Sequence, residues 1–245
     1  MKLIMENWNK FVNEEEQVEE GIMDFFRSKD PADVALKEVE QYLETTSQNA
    51  FETAKSVLAS NMKKNTTTGT NFDRRNIKSM KKRIQPIQIN YSTGDNYGEE
   101  IKNLKISLLP GPRRGEEDLR LSYSFEFTFG VTKAGEDSFS VEFGVIAPTA
   151  TDAAVFPPNL GSQVGDLIAD KIGSGQPQTV TKKQLSPLLM SRARFIIDIL
   201  PSLYRFVMAD TYINYRGNLE QSAEDTFNDV LKPSYEEIQS KQVRV

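Results

Sequence analysis

The residue types that most often carry acid–base, nucleophilic and metal chemistry are missing from this chain. Its 245 residues include no histidine and no cysteine. Without imidazole, the usual general base near neutral pH is gone. Without imidazole or thiolate, zinc, haem, iron–sulfur and Ser-His-Asp readings fall together. The chemistry left belongs to carboxylates, Lys, Tyr, Ser and Thr. Two carboxylate groupings stand out. Glu126 and Glu142 lie on neighbouring runs of alternating residues. Glu116-Glu117-Asp118 follows Arg113-Arg114. It could offer oxygen ligands to a divalent cation, but it lacks the calcium-loop pattern and reads as a solvated turn. The glycine-rich stretches, Gly161 to Gly165 and Gly173 to Gly175, have neither phosphate-loop nor dinucleotide spacing. They read as helix punctuation, and no cofactor is implied.

The elements that must position these residues are legible from periodicity. Ile87, Ile89 and Tyr91 alternate with polar residues, as do Leu104, Ile106 and Leu108. The alternation then runs from Leu119 to Val131 and again from Phe139 to Val145. Period two over this length predicts strands with one buried and one wet face. Turn signals at Thr93-Gly94-Asp95-Asn96, Pro110-Gly111-Pro112 and Ala134-Gly135-Glu136 separate four antiparallel strands. Matching apolar to apolar pairs Val131 with Phe139 and sets Phe127 by Phe143, with a loop at 134–136. In that register Glu126 and Glu142 are diagonal neighbours, about 7–8 Å apart. That spacing falls within the window of about 6.5–9.5 Å used by inverting glycosidases. A solvated sheet face explains the pair more simply, so a carboxylate hydrolase is the third reading.

Helices should flank the sheet. Met5, Trp8 and Val12, then Val18, Ile22 and Phe25, recur at helical spacing. Asp30-Pro31 is a helix start, and Leu36, Val39, Leu43, Phe51, Ala54 and Leu58 follow as a stripe, with a break expected at Thr45-Thr46-Ser47. Phe72, Ile77 and Met80 could anchor a short helix. Val164, Leu167, Ile168 and Ile172 form a helix stopped by Gly173, followed by a flexible link to Pro177. A strongly apolar helix starts at Ser186-Pro187 and breaks or kinks at Pro201. Leu219, Ala223, Phe227 and Val230 suggest another, with a short polar tail from Pro233. The fold class is α+β: a four-stranded antiparallel meander covered by C-terminal helices, with a helical N-terminal arm. Residues 1–64 are the charged amphipathic arm, 65–83 a basic linker, and 84–245 the α+β domain, its sheet at 84–147 and its helices at 160–241.

Charge is distributed in blocks. The net charge is −5. Residues 1–60 hold 13 acids and 6 bases, whereas residues 61–83 hold 8 bases and one acid. The basic side chains are Lys63, Lys64, Arg74, Arg75, Lys78, Lys81, Lys82 and Arg83, with Phe72 among them. They could follow a phosphate backbone with an aromatic to stack, although no nucleic-acid fold signature accompanies them. Pairing with the acidic block, or plain solvation, competes with that reading. Trp8, Phe11, Tyr204, Tyr212 and Tyr215, with Arg205 and Arg216, have interface composition. The competing reading of the aromatic cluster at 204–215 is a core with polar tips.

The opening Met-Lys-Leu-Ile-Met-Glu-Asn-Trp-Asn-Lys-Phe-Val-Asn-Glu-Glu-Glu resembles the N-terminal leader that recurs in proteins of large contractile-tailed marine phages. The resemblance covers 16 residues. It implies a virion or head-assembly protein whose leader directs it into the prohead and is trimmed after a Leu/Ile-x-Glu tripeptide. Ile4-Met5-Glu6 and Leu36-Lys37-Glu38 fit that tripeptide. The expectation is a non-enzymatic structural or assembly protein with protein partners, as a homo-oligomer or part of a larger assembly. The alternative partner is a nucleic acid or other polyanion. No run of about 18 apolar residues suggests a bilayer span, and no apolar signal-peptide region follows the first residues. Location in the host cytoplasm or in the virion is expected.

If the basic block binds polyanions, neutralising Lys81, Lys82 and Arg83 to Gln lowers the slope of log K against log salt by about 2–3. Fluorescence anisotropy with labelled single- and double-stranded DNA reads this, and an unchanged slope removes the reading.

Overall fold

A computed structural model describes residues 30–64, 85–96, 98–109, 124–147, 160–208 and 224–244. The elements, in chain order, are α1 (Pro31–Lys64), β1 (Gln88–Asn96), β2 (Glu99–Leu108), β3 (Phe125–Lys133), β4 (Ser138–Ile146), α2 (Leu160–Ile172), β5 (Gln178–Thr181), α3 (Lys182–Val207) and α4 (Lys232–Ser240). A π-helical turn, Phe227–Leu231, leads into α4. The fold class is α+β. All strand pairings are antiparallel, in the order β1-β2-β3-β4-β5. The meander therefore has five strands rather than four. The fifth, Gln-Thr-Val-Thr, is four residues long with one apolar side chain. That is too little alternation to register as a strand, so the link before α3 partly pairs with β4.

The apolar alternation decides which face is covered. Leu104, Ile106 and Leu108 of β2, Phe125, Phe127, Phe129 and Val131 of β3, and Phe139, Val141 and Phe143 of β4 are all buried. The helices supply the other wall. Leu36, Val39, Leu43, Ser47, Phe51 and Ala54 of α1 recur at three- and four-residue steps and are buried. So α1 packs, chiefly along α3, into the same core as the sheet. Phe125 meets Phe206 of α3 edge-on at 6.3 Å, and Phe51 of α1 lies 5.7 Å from Tyr204 of α3. Among the described residues, no helix is long and apolar enough to cross a membrane.

Local chemistry sets the helix ends. Asp30 caps α1: its Oδ1 accepts the Ala32 backbone N–H at 2.9 Å. The break expected at Thr45-Thr46-Ser47 does not occur. The Thr45 and Thr46 hydroxyls donate back to the carbonyls of Gln41 and Tyr42, which lets both residues stay helical. Helix α3 starts five residues before Pro187. Gln184 Oε1 accepts the Thr181 backbone N–H at 3.1 Å, half of a capping box. Nor does Pro201 end the helix. A mid-helix proline costs about 3 kcal/mol. Leu200, Leu203, Tyr204, Phe206 and Val207 are buried around it. At roughly 1.5–3 kcal/mol each, their burial outweighs that cost. The polar segment from Pro233 is helical as far as Ser240. Ser234 and Ile238 are buried, and the Lys171 ammonium donates to the carbonyls of Gln239 and Lys241 at 3.0 and 2.7 Å.

Two turns differ from expectation. Thr93–Asn96 belong to β1, which pairs antiparallel with β2 from Glu99 on. Between the two strands Gly98 takes φ +85°, and its N–H donates to Asp95 Oδ1 at 2.8 Å. In the β3–β4 hairpin, Val131 opposes Val141 and Phe129 opposes Phe143, two residues from the expected register. The backbone N–H groups of Ala134 and Gly135 both donate to the Ser138 carbonyl. A Cβ on residue 135 would lie 2.6 Å from Ser138 Oγ, so a larger residue there would have to turn that hydroxyl aside. A shift of two keeps every side chain on its face, so apolar matching cannot separate the two registers. The turn separates them.

Candidate functional site

The shifted register dissolves the carboxylate pair. Glu126 now opposes Ile146, and Glu142 opposes Gly130. Four residues of strand separate them, about 14 Å. That exceeds the window of about 6.5–9.5 Å for inverting hydrolysis. Glu126 instead pairs with Lys105 across β2–β3 at 2.6 Å. The acids at 116–118 lie outside the described residues.

The other candidates separate in the same way. Lys63 and Lys64 close α1. Arg74, Arg75, Lys78, Lys81, Lys82 and Arg83 lie outside the described residues, as do Trp8, Phe11, Tyr212 and Tyr215. Tyr204 is fully buried, and its hydroxyl donates to the Gln85 carbonyl at 3.0 Å. It is a core side chain with one satisfied polar tip. Burial drives its phenol well above the ordinary range, partly offset by a backbone hydrogen bond from Ile87.

The most strongly interacting polar cluster lies elsewhere. Lys102 of β2 stands on the helix-covered face, between Thr93 and Val131. It is 6% exposed. An isolated ammonium there would be costly. Helix α1 supplies two carboxylates from its first turn. Lys102 Nζ donates to Asp30 Oδ2 at 2.9 Å and to Asp33 Oδ2 at 2.7 Å. Asp33 also accepts the hydroxyl of Tyr91, the β1 residue on the same face. Both acids sit at the helix N-terminus, where the macrodipole favours negative charge. Four side chains thus tie the start of α1 to two strands.

The cluster opens onto a cavity of about 240 Å³ at the end of the sheet. Ala32, Val131 and Phe139 form its apolar part, Asp30, Glu99 and Glu100 its acids, and Lys102 and Lys133 its bases. Among the described residues, no group of three or more acids is placed to hold a metal ion.

The titration behaviour has one direction throughout. Burial pushes Asp33 up, but hydrogen bonds from Lys102 and Tyr91 and the charge of Lys102 outweigh it and hold the carboxyl below its ordinary 3.8. Burial pushes Lys102 down, but its bonds to Asp33 and Asp30 outweigh that and raise it above 10.5. Burial, then the bond to Asp33, pushes Tyr91 up to about 12. Every shift favours the protonation state already present at neutral pH. A proton-transfer group needs the reverse, a pKa brought toward the working pH. The cluster holds charge in place, as a clamp does.

Periodicity offered one signal of it. The alternation Leu108, Ile106, Leu104, carried one step further, lands on Lys102. A charge at a core position requires a partner. Comparison with family models, curated proteins and solved structures finds no match for the chain.

The clamp makes stability depend on pH from both sides. Asp33 has a lowered folded pKa, so its contribution is present above 3.8 and is lost as pH falls through the folded value. Tyr91 has a raised one, so its contribution is present below 10.0 and is lost as pH rises toward about 12. Urea denaturation across pH should show both losses, each smaller in Asp33→Ala. At pH 7, Asp33→Ala should cost about 2 kcal/mol, because it strips a buried ammonium of its shorter bond. Lys102→Met should cost less, because it leaves two partly solvated acids and an apolar side chain on an apolar face. The opposite order would show that the carboxylates, not the lysine, need the clamp.

Proposed function

We propose that the protein is a non-enzymatic structural or assembly component, used in or built into a phage particle, and that it works through protein–protein contacts in the host cytoplasm or the virion. The reading joins the leader resemblance of residues 1–16 to one geometric observation. Every described helix that packs on the sheet meets the face carrying Leu104, Phe127, Phe129 and Phe143. The opposite face carries Asn103, Lys105, Glu126, Thr128, Ser140 and Glu142, with glycine at 94, 130 and 144. Ile146, on that face, is 61% exposed. A polar sheet face of this kind suits a wet contact bridged by water rather than an apolar interface core. The clamp fits the same role: it fixes α1 rigidly to the sheet, which lowers the entropy cost of docking.

Size-exclusion chromatography with light scattering, at low and moderate salt, tests the self-assembling form. The full chain should elute as a discrete oligomer. Thr128→Arg together with Ser140→Arg should shift it toward smaller species if the polar face takes part. A monomer of 27.7 kDa at every salt and protein concentration argues against self-assembly.

A further inference from the structure

The two edges of the sheet are built differently. Strand β5 is four residues long, preceded by Pro177 and followed by Lys182 and Lys183. Short strands, proline and lysine are the devices by which edges are kept from pairing. Strand β1 has none of them within its own length, although Pro86 stands two residues ahead of it. It is nine residues long, Gln-Ile-Asn-Tyr-Ser-Thr-Gly-Asp-Asn, without proline or a basic residue. Its register with β2 runs unbroken from Gln88↔Ser107 to Asn96↔Glu99, with no bulge to twist the edge away. Among the described residues, no strand pairs with its far side, and Gln88, Asn90 and Ser92 to Asp95 are exposed.

We propose that β1 is a pairing edge through which two copies of this chain join, antiparallel, into one continuous ten-stranded sheet. The inference rests on the self-assembly reading and names its contact. What selects a second copy is the charge pattern of β1. Asp95 is its only residue charged at neutral pH. A two-fold pairing centred on Tyr91 or Ser92 sets Asp95 opposite Ile87 or Ile89 of the other copy. The two Asp95 side chains then lie on the order of 20–27 Å apart along the strand, beyond the Debye length of about 8 Å at physiological salt. Either centre pairs odd positions with odd. Ile89, Tyr91 and Thr93 of both copies therefore share the helix-covered face, while Gln88, Asn90 and Ser92 share the polar one. A strand carrying several acids or bases would not serve its own copy as well. A two-fold contact of this kind is also closed, so it ends at a dimer rather than a fibre.

The absence of native cysteine gives a direct test. Ser92→Cys in the full chain, treated with a short bismaleimide, should give a covalent dimer, because position 92 faces its copy directly or diagonally in both registers. Thr179→Cys on β5 should not. Asn90→Lys with Ser92→Lys sets like charges opposite each other across the axis and should weaken dimerisation at least about tenfold by light scattering. Circular dichroism should show the fold retained. An oligomer that neither cross-links at position 92 nor responds to the lysines overturns the β1 contact and leaves self-assembly standing. A strict monomer overturns both.

Discussion

One ammonium group organises the joint between the two layers. Lys102 lies where the sheet's apolar face should carry an aliphatic residue, and a buried cation is tolerated only beside counter-charges. Both come from one helical turn, Asp30 as cap and Asp33 three residues on. Because the acids are fixed at the start of α1, satisfying Lys102 also fixes where that helix begins on the sheet. From there a 34-residue helix lies along α3, with its apolar stripe closing the core. Slipping α1 by a residue would swing Asp33 by about 100° around the helix and leave Lys102 short of a carboxylate. Apolar packing alone is less exacting, since aliphatic side chains repack. The ion pair supplies position, whatever it adds to stability.

The same acids have two duties, and these do not conflict. Asp30 uses one oxygen to cap Ala32 and the other to meet Lys102. Asp33 gives one oxygen to Lys102 and the other to Tyr91. Each of the four carboxylate oxygens thus has a partner within the fold. The shifts that burial would impose are reversed for Asp33 and Lys102 by their partners. Such a site keeps its charges fixed at neutral pH.

How much of this is legible in the sequence depends on the range of the interaction. Strand alternation, the Asp30 cap and the Gly173 stop, where φ is +73°, are local, and local pattern reads them correctly. The β3–β4 register is only half legible. Parity is set by Phe125, Phe127 and Phe129, but the step of two goes with the paired turn hydrogen bonds to the Ser138 carbonyl. That step changes the chemistry, because it moves Glu126 and Glu142 apart. The continuation of α3 through Pro201 depends on side chains buried against α1 and the sheet, so tertiary packing overrides a local rule. The clamp is the least legible. Lys102 is visible as a charge in a buried row, but its partners lie 72 and 69 residues away.

The layering carries a further consequence. A five-stranded sheet has two edge strands, and a fold of this shape must do something with each. At β5 the chain shortens the strand, flanks it with proline and lysine, and turns directly into α3. At β1 it runs nine residues straight and uncharged but for Asp95. The clamp reaches that strand through Tyr91, whose hydroxyl is held from beneath by Asp33. So β1, an edge strand with one neighbour in the sheet, is also held by the helix layer. An edge held straight and left open loses little conformational entropy when another strand joins it. On the proposed β1 pairing, the interaction that fixes α1 to the sheet also readies that edge for the second copy.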